Sequence, residues 1–107
     1  VDMVETFNYQ LSLRVKSLRR VKGVLEVTGT SPAGEQVLIL WRNTVETNSQ
    51  ALNDWFETQA YNSRDTEFDL IYVNGDNNIE NLRRSDETWK VQLIEDRFMS
   101  LMFTSQD

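Results

Sequence analysis

The stretch Phe68-Asp69-Leu70-Ile71-Tyr72-Val73-Asn74-Gly75-Asp76 limits the possible folds of this chain more than any other. Phe68, Leu70, Ile71, Tyr72 and Val73 make a short apolar, β-branched and aromatic run, the composition of a strand buried on both faces. Asn74-Gly75-Asp76 then ends it, because Gly and Asn accept the positive φ that a sharp turn needs. Open α/β sheets gather polar ligand contacts at such strand ends. The same residues equally describe a core strand followed by a plain turn.

A strand buried on both faces needs neighbours in its sheet and a layer on each side. Val37-Leu38-Ile39-Leu40-Trp41 is apolar without alternation, so it too reads as a central strand. Val24 to Thr30 reads as a strand, and Ser31-Pro32-Ala33-Gly34 is a turn signal between the two. Together they predict an antiparallel hairpin. Asn48 or Ser49 caps a helix running to about Ala60, with Leu52, Trp55, Phe56 and Gln59 along one side. Strand, helix and strand from residue 37 to residue 73 predict a crossover with parallel strands.

The ends of the chain read as helices. Asp2 is a candidate N-cap with Glu5 three residues on, and Val4, Phe7, Leu11, Val15 and Leu18 follow at roughly helical spacing up to Gly23. Asn77 to Arg84 is polar and reads as a loop or short helical turn. Ser85 or Asp86 opens a final helix with Val91, Ile94, Phe98 and Leu101 on one face; Trp89 to Leu93 also alternates as a strand would. The expected fold class is α/β: a small mixed sheet, an antiparallel hairpin plus a parallel strand reached by a crossover helix, packed by N-terminal, crossover and C-terminal helices. A chain of 107 residues fits one domain. Its opening on Val1 suggests one accessory domain cut from a longer protein.

Composition narrows the chemistry. Neither His nor Cys is present, which removes His and Cys metal ligands, disulfides, His general bases and thiolate or Ser-His catalysis. No apolar run reaches the roughly 18–20 residues that a membrane helix needs, and no signal-peptide pattern opens the chain. A cytoplasmic setting is expected. The net charge of −6 argues against wrapping nucleic acid unaided. The charge is uneven, however: Arg14, Lys16, Arg19, Arg20 and Lys22 face only Asp2 and Glu5 within the first 23 residues. These cations are candidate DNA or partner contacts, or equally a solvated helix tail placed favourably for the helix dipole.

Arg42 and the Asn74-Gly75-Asp76-Asn77 turn are expected at the same sheet end, as a candidate polar site for a small ligand or a metal. Asp76 and Glu80, with Asp69, are the carboxylates that could hold Mg²⁺, although the spacing is not that of a calcium loop. The four glycines lack the paired spacing of a phosphate loop. Arg83 and Arg84 beside Trp89 and Lys90 mix cations with an aromatic as nucleic-acid platforms do, while core packing of Trp89 accounts for the same pattern.

Four stretches resemble the C-terminal region of the modification subunits of type III restriction–modification systems and of related adenine-specific DNA methyltransferases. They are Val4-Glu5-Thr6-Phe7-Asn8-Tyr9; Val37-Leu38-Ile39-Leu40-Trp41-Arg42; Tyr72-Val73-Asn74-Gly75-Asp76-Asn77; and Trp89-Lys90-Val91-Gln92-Leu93-Ile94-Glu95, continuing into Phe98 and Leu101-Met102-Phe103. Their order and spacing match across nearly the whole chain. The resemblance implies a parent enzyme that moves a methyl group from S-adenosylmethionine to the exocyclic amine of adenine in DNA. The family's Asp-Pro-Pro-Tyr and Gly-containing cofactor motifs lie upstream of the matching region, and the only proline here is Pro32, before Ala33. No catalytic, cofactor-binding or metal-binding residue is therefore carried over. The resemblance implies an accessory role in assembly or in placing DNA. Its implied partners are the rest of the methyltransferase chain, a second copy, a restriction subunit, and DNA through the parent.

Overall fold

The computed structural model describes residues 3–59, 68–83 and 89–104. In chain order these are helix α1 (Met3–Gln10), strands β1 (Arg14–Val21), β2 (Val24–Thr30) and β3 (Gln36–Arg42), helix α2 (Ser49–Gln59), strand β4 (Leu70–Val73), a 3₁₀ turn (Ile79–Leu82), strand β5 (Lys90–Leu93) and helix α3 (Ile94–Thr104). The strands form one sheet in sequence order. β1, β2 and β3 pair antiparallel, whereas β3, β4 and β5 pair parallel. No helix among the described residues is long and apolar enough to cross a membrane. The mixed sheet, the hairpin and the parallel crossover are as the sequence predicts.

Both faces of the sheet are covered. Val24, Leu38, Leu40, Ile71 and Val73 point to one side and pack with Leu52, Trp55 and Phe56 of α2, and with Ile79 and Trp89. Leu25, Val27, Val37, Ile39 and Tyr72 point to the other and pack with Phe7 of α1 and Ile94 of α3. Phe7 is fully buried. Its ring meets Tyr72 edge-on at 5.2 Å and Trp41 edge-on at 6.0 Å, and stacks on Phe98 at 6.0 Å. One side chain thus ties α1, β3, β4 and α3 together, with edge-to-face geometry that ring quadrupoles favour.

The first helix is shorter than the periodicity predicts. It ends because Ser12 adopts φ 53°, which lets its N–H reach the Tyr9 carbonyl at 2.9 Å and the Leu13 N–H reach the Asn8 carbonyl at 3.0 Å. These two bonds are a Schellman stop, usually built on Gly. Residues 14–21 are then an exposed edge strand, so Val15 and Leu18 leave the predicted helical face; they are 43% and 55% exposed. Gly23 does not end a helix either. Lys22 (φ 49°) and Gly23 (φ 85°) are the central residues of a two-residue hairpin loop of type I′, whose twist matches that of the flanking strands.

The last helix also begins later than predicted. Lys90–Leu93 is a strand and α3 starts at Ile94 with no intervening loop. Val91 consequently packs on the α2 side, while Ile94, Phe98 and Leu101 pack on the other. The predicted caps at Asp2, Ser85 and Asp86, and the helix end at Ala60, lie outside the described residues.

Two stability outcomes follow from this packing. Phe7→Ala should cost about 3–5 kcal/mol in urea unfolding, the range for emptying a buried aromatic site. Ser12→Gly should raise stability by roughly 0.5–1 kcal/mol, because glycine holds the left-handed conformation without Cβ strain; a chain in which α1 ran on through residue 20 would lose stability instead.

Candidate functional site at the carboxyl end of the parallel strands

The sheet does bring Arg42, at the end of β3, beside the turn that follows β4. The two meet reciprocally: the Asn74 side-chain oxygen accepts the Arg42 backbone N–H at 2.9 Å, and Asn74 Nδ2 donates to the Arg42 carbonyl at 2.8 Å. Asn74 thereby continues the β-ladder with its side chain after the backbone has turned away. The Arg42 guanidinium is buried, at 7% exposure. Its Nε donates to the Thr47 carbonyl at 3.1 Å, Nη2 to the Asp76 carbonyl at 2.7 Å, and Nη1 to Asn74 Oδ1 at 3.4 Å. Burial pushes this guanidinium below the usual arginine value, and the Glu95 and Asp76 carboxylates push it back up.

Each neighbouring element supplies a tie. Asn43 Oδ1 accepts the Val45 and Glu46 amides at 2.9 and 3.1 Å, folding the loop that presents the Thr47 carbonyl. Asn48 caps α2 by accepting the Ala51 N–H at 3.0 Å, as the sequence suggests for an N-cap. Ser49 Oγ donates to the Asp76 carbonyl at 2.8 Å. The Gly75 N–H reaches the Glu95 carboxylate at 2.8 Å, a residue in the first turn of α3, where the helix dipole also favours an acid. Asn77 Nδ2 donates to the Gly75 carbonyl at 2.9 Å.

The five predicted residues are therefore one cluster, but a closed one. The guanidinium donors end on protein carbonyls and an amide oxygen, and the atom of Asp76 that the cluster uses is its backbone carbonyl. Chemically the arrangement is a clamp that fixes the β4 turn to β3, α2 and α3. Glu95 and Ser49 belong to it and were not anticipated as site residues; Glu95 falls in a first turn only because the helix starts at Ile94 and not at Ser85 or Asp86.

The three carboxylates expected near this end do not form one group. Asp69 sits at the opposite end of β4, where its Oδ2 accepts the Gln36 N–H at 2.7 Å and its carbonyl accepts the Lys90 N–H at 3.1 Å. Among the described residues no group of three or more Asp and Glu side chains is arranged to hold a metal ion.

The cations sit apart from this clamp. Arg14, Lys16, Arg19 and Arg20 lie on β1 and Lys22 in its turn. The strand register places Arg14 and Arg19 on the α2 side and Arg20 on the other, with Lys16 at a bulge between Val15 and Ser17. They are not the single stripe that a helix tail would present, because strand side chains alternate. Arg19 Nε meets the buried Glu26 carboxylate at 2.7 Å, and Lys16 Nζ donates to Gln36 Oε1 at 3.0 Å. Arg83 donates to the Trp89 carbonyl at 2.8 Å and lies 5.9 Å from the centre of its ring, with Trp89 buried against Phe56 at 5.8 Å. Trp89 is thus a core residue and Arg83 its cover. Arg84 lies outside the described residues.

A second polar group occupies the other end of the sheet. Tyr72 is 4% exposed; burial raises its phenol above the ordinary tyrosine value, with a smaller push from Glu35, and the hydrogen-bonded Arg97 opposes the rise. Comparison with known proteins yields no match to the chain, whether among family models, curated proteins or solved structures.

Gly75 has φ +77°, and a Cβ there would meet Thr44 Cγ2 at 2.6 Å and Arg42 Nη1 at 3.2 Å. Gly75→Ala should therefore cost about 2 kcal/mol or more, and Thr44→Ser should restore part of that loss in a double-mutant cycle. Arg42→Lys, which keeps the charge but loses the fork, should cost roughly 1.5–3 kcal/mol. The raised Tyr72 pKa sets the sign in alkali: the folded state keeps a proton that the unfolded chain releases, so stability falls as pH rises past about 10. Tyr72→Phe should make unfolding measurably less sensitive to pH in that range.

Proposed function

We propose that this chain is a non-catalytic C-terminal domain of a DNA adenine-N6 methyltransferase of the type III restriction–modification kind, serving subunit assembly or the positioning of DNA and a restriction partner. The observation that carries the reading is the four-part sequence resemblance, in register from Val4 to Phe103. Three features of the fold are consistent with it. The matching stretches fall on α1, on β3, on β4 with its turn, and on β5 with the start of α3. These are the central strands, the layer formed by α1 and α3, and the turn of the clamp, so a shared pattern there would specify a shared scaffold. The Arg42–Asn74 cluster is hydrogen-bonded within itself, which suits a structural role better than ligand capture. The exposed cations gather on an edge strand, a position open to a partner or to DNA held by the rest of the protein.

On this reading S-adenosylmethionine and the methyl-transfer residues belong to the parent protein, and a cytoplasmic setting goes with it. The parent chain, a second copy and a restriction subunit are the expected partners. The small-ligand or metal module weighed at Arg42 and Asn74–Asn78 is less favoured, because each guanidinium nitrogen already donates within the protein.

The test is methyl transfer to duplex DNA by the full-length gene product and by this chain alone. Adenine methylation confined to the longer protein is the expected result. Absence of methylation by the full-length product would remove the family reading. In that protein, Arg14→Glu with Arg20→Glu should weaken DNA or subunit binding several-fold while leaving the fold of this chain intact, because both side chains are exposed.

A further inference from the structure

β1 is the outermost strand of the sheet, and its residues 14–20 are all exposed. Among the described residues its only strand partner is β2. Val21 and Val24 close the two-residue loop as a hydrogen-bonded pair, and such pairs alternate along an antiparallel ladder. Arg19 and Val21 therefore turn their backbone groups toward β2, whereas Leu18 and Arg20 turn theirs outward. Their N–H groups and carbonyls stand open on the regular run of residues 17–21, which follows the bulge between Val15 and Ser17. The opposite edge is less available: β5 has four residues, alternates between exposed and half-buried positions, and runs straight into α3.

The charge on this edge indicates what pairs with it. Arg14, Lys16, Arg19 and Arg20 lie on β1 and Lys22 in its turn; among the described residues only Arg19 meets a carboxylate, that of Glu26. A second copy of β1 would set these cations against one another, as charged edges that resist self-pairing do. Nucleic acid phosphates would answer the cations and the N–H groups but offer no donor to the open carbonyls. An extended acidic peptide answers all three. Leu18, 55% exposed, lies on the same face as Arg20, so the fitting strand sets an apolar residue beside an acid.

We propose that β1 takes an extended acidic segment of a partner protein as an added edge strand, antiparallel to residues 17–21. Its backbone completes the ladder at Leu18 and Arg20. An apolar residue lies opposite Leu18, and carboxylates lie opposite Lys16, Arg20 and Lys22. The proposal rests on the preceding reading only in treating β1 as a partner surface, and it does not need the methyltransferase assignment.

The experiment is an amide NMR titration of the chain with acetyl-Glu-Val-Glu-Thr-Val-Thr-Glu-amide, and in parallel with the same peptide carrying Gln for each Glu. A third peptide is N-methylated at its second valine, opposite Leu18, which removes one ladder donor. Shifts centred on residues 17–21 are expected, with solvent exchange slowed at the Leu18 and Arg20 amides. The Gln peptide should bind roughly tenfold more weakly, and the N-methylated one about tenfold more weakly as well. Arg20→Glu, at an exposed position, should weaken the acidic peptide several-fold. Equal affinity for the acidic and Gln peptides, shifts without slowed exchange at Leu18 and Arg20, or no saturable shift at about 5 mM peptide would overturn the proposal. So would tighter binding of a short DNA duplex to the same residues, or dimerisation through β1 without peptide. Methyl transfer by the full-length product is measured separately, so a failure here and a failure of the family reading are told apart.

Discussion

β3 is hydrogen-bonded to a strand on each side, and its residues from Val37 to Leu40 are buried on both faces. That double burial is the constraint from which the rest follows. A strand with no wet face requires a helical layer above and another below. α2 provides one layer, and α1 with α3 provides the other. Among the described residues the second layer comes from the two ends of the chain, which is why Phe7, near the start, stacks on Phe98, near the finish.

Such a sheet concentrates its polar work at the strand ends, and the two ends of β3 and β4 differ in kind. At the carboxyl end, burying Arg42 requires acceptors for its guanidinium, and they come from the Thr47 and Asp76 carbonyls and the Asn74 side-chain oxygen, which tie the Asn74–Asn77 turn to β3. At the opposite end, Arg97 and Tyr72 line a cavity with Glu35 at its rim.

The sequence was legible where a strong local signal agreed with tertiary packing. The hairpin of β2 and β3, the Asn48 cap, the β4 run and the positive φ of Gly75 all came from such signals, as did the meeting of Arg42 with the turn. It misled where a backbone conformation lacked its usual residue. Ser12 stops α1 in a conformation normally given to glycine, and Lys22-Gly23 turns a hairpin where Asn-Gly would have been recognised. Val15 and Leu18 fit a helical spacing by coincidence, since two apolar residues three apart suit a helix face and a bulged strand alike. The passage from β5 into α3 hid for a related reason: Val91 and Ile94 are three apart, yet a change from two-residue to 3.6-residue periodicity sends them to opposite layers.

By itself, then, the sequence determined the class of fold, the two strands that must be central, the crossover helix and five residues of the clamp, Arg42 and Asn74 to Asn77, because apolar runs and turn residues act over a few positions. It also determined that no histidine or cysteine chemistry is available. Tertiary structure alone decided that residues 14–21 close the sheet as an edge strand, that Arg42 is answered from within, and that Tyr72 and Arg97 face a cavity. The last two outcomes depend on which groups meet across 25 to 35 residues of chain, as Tyr72 meets Arg97 and Arg42 meets Asn74, and pairing at that range leaves no mark on local periodicity.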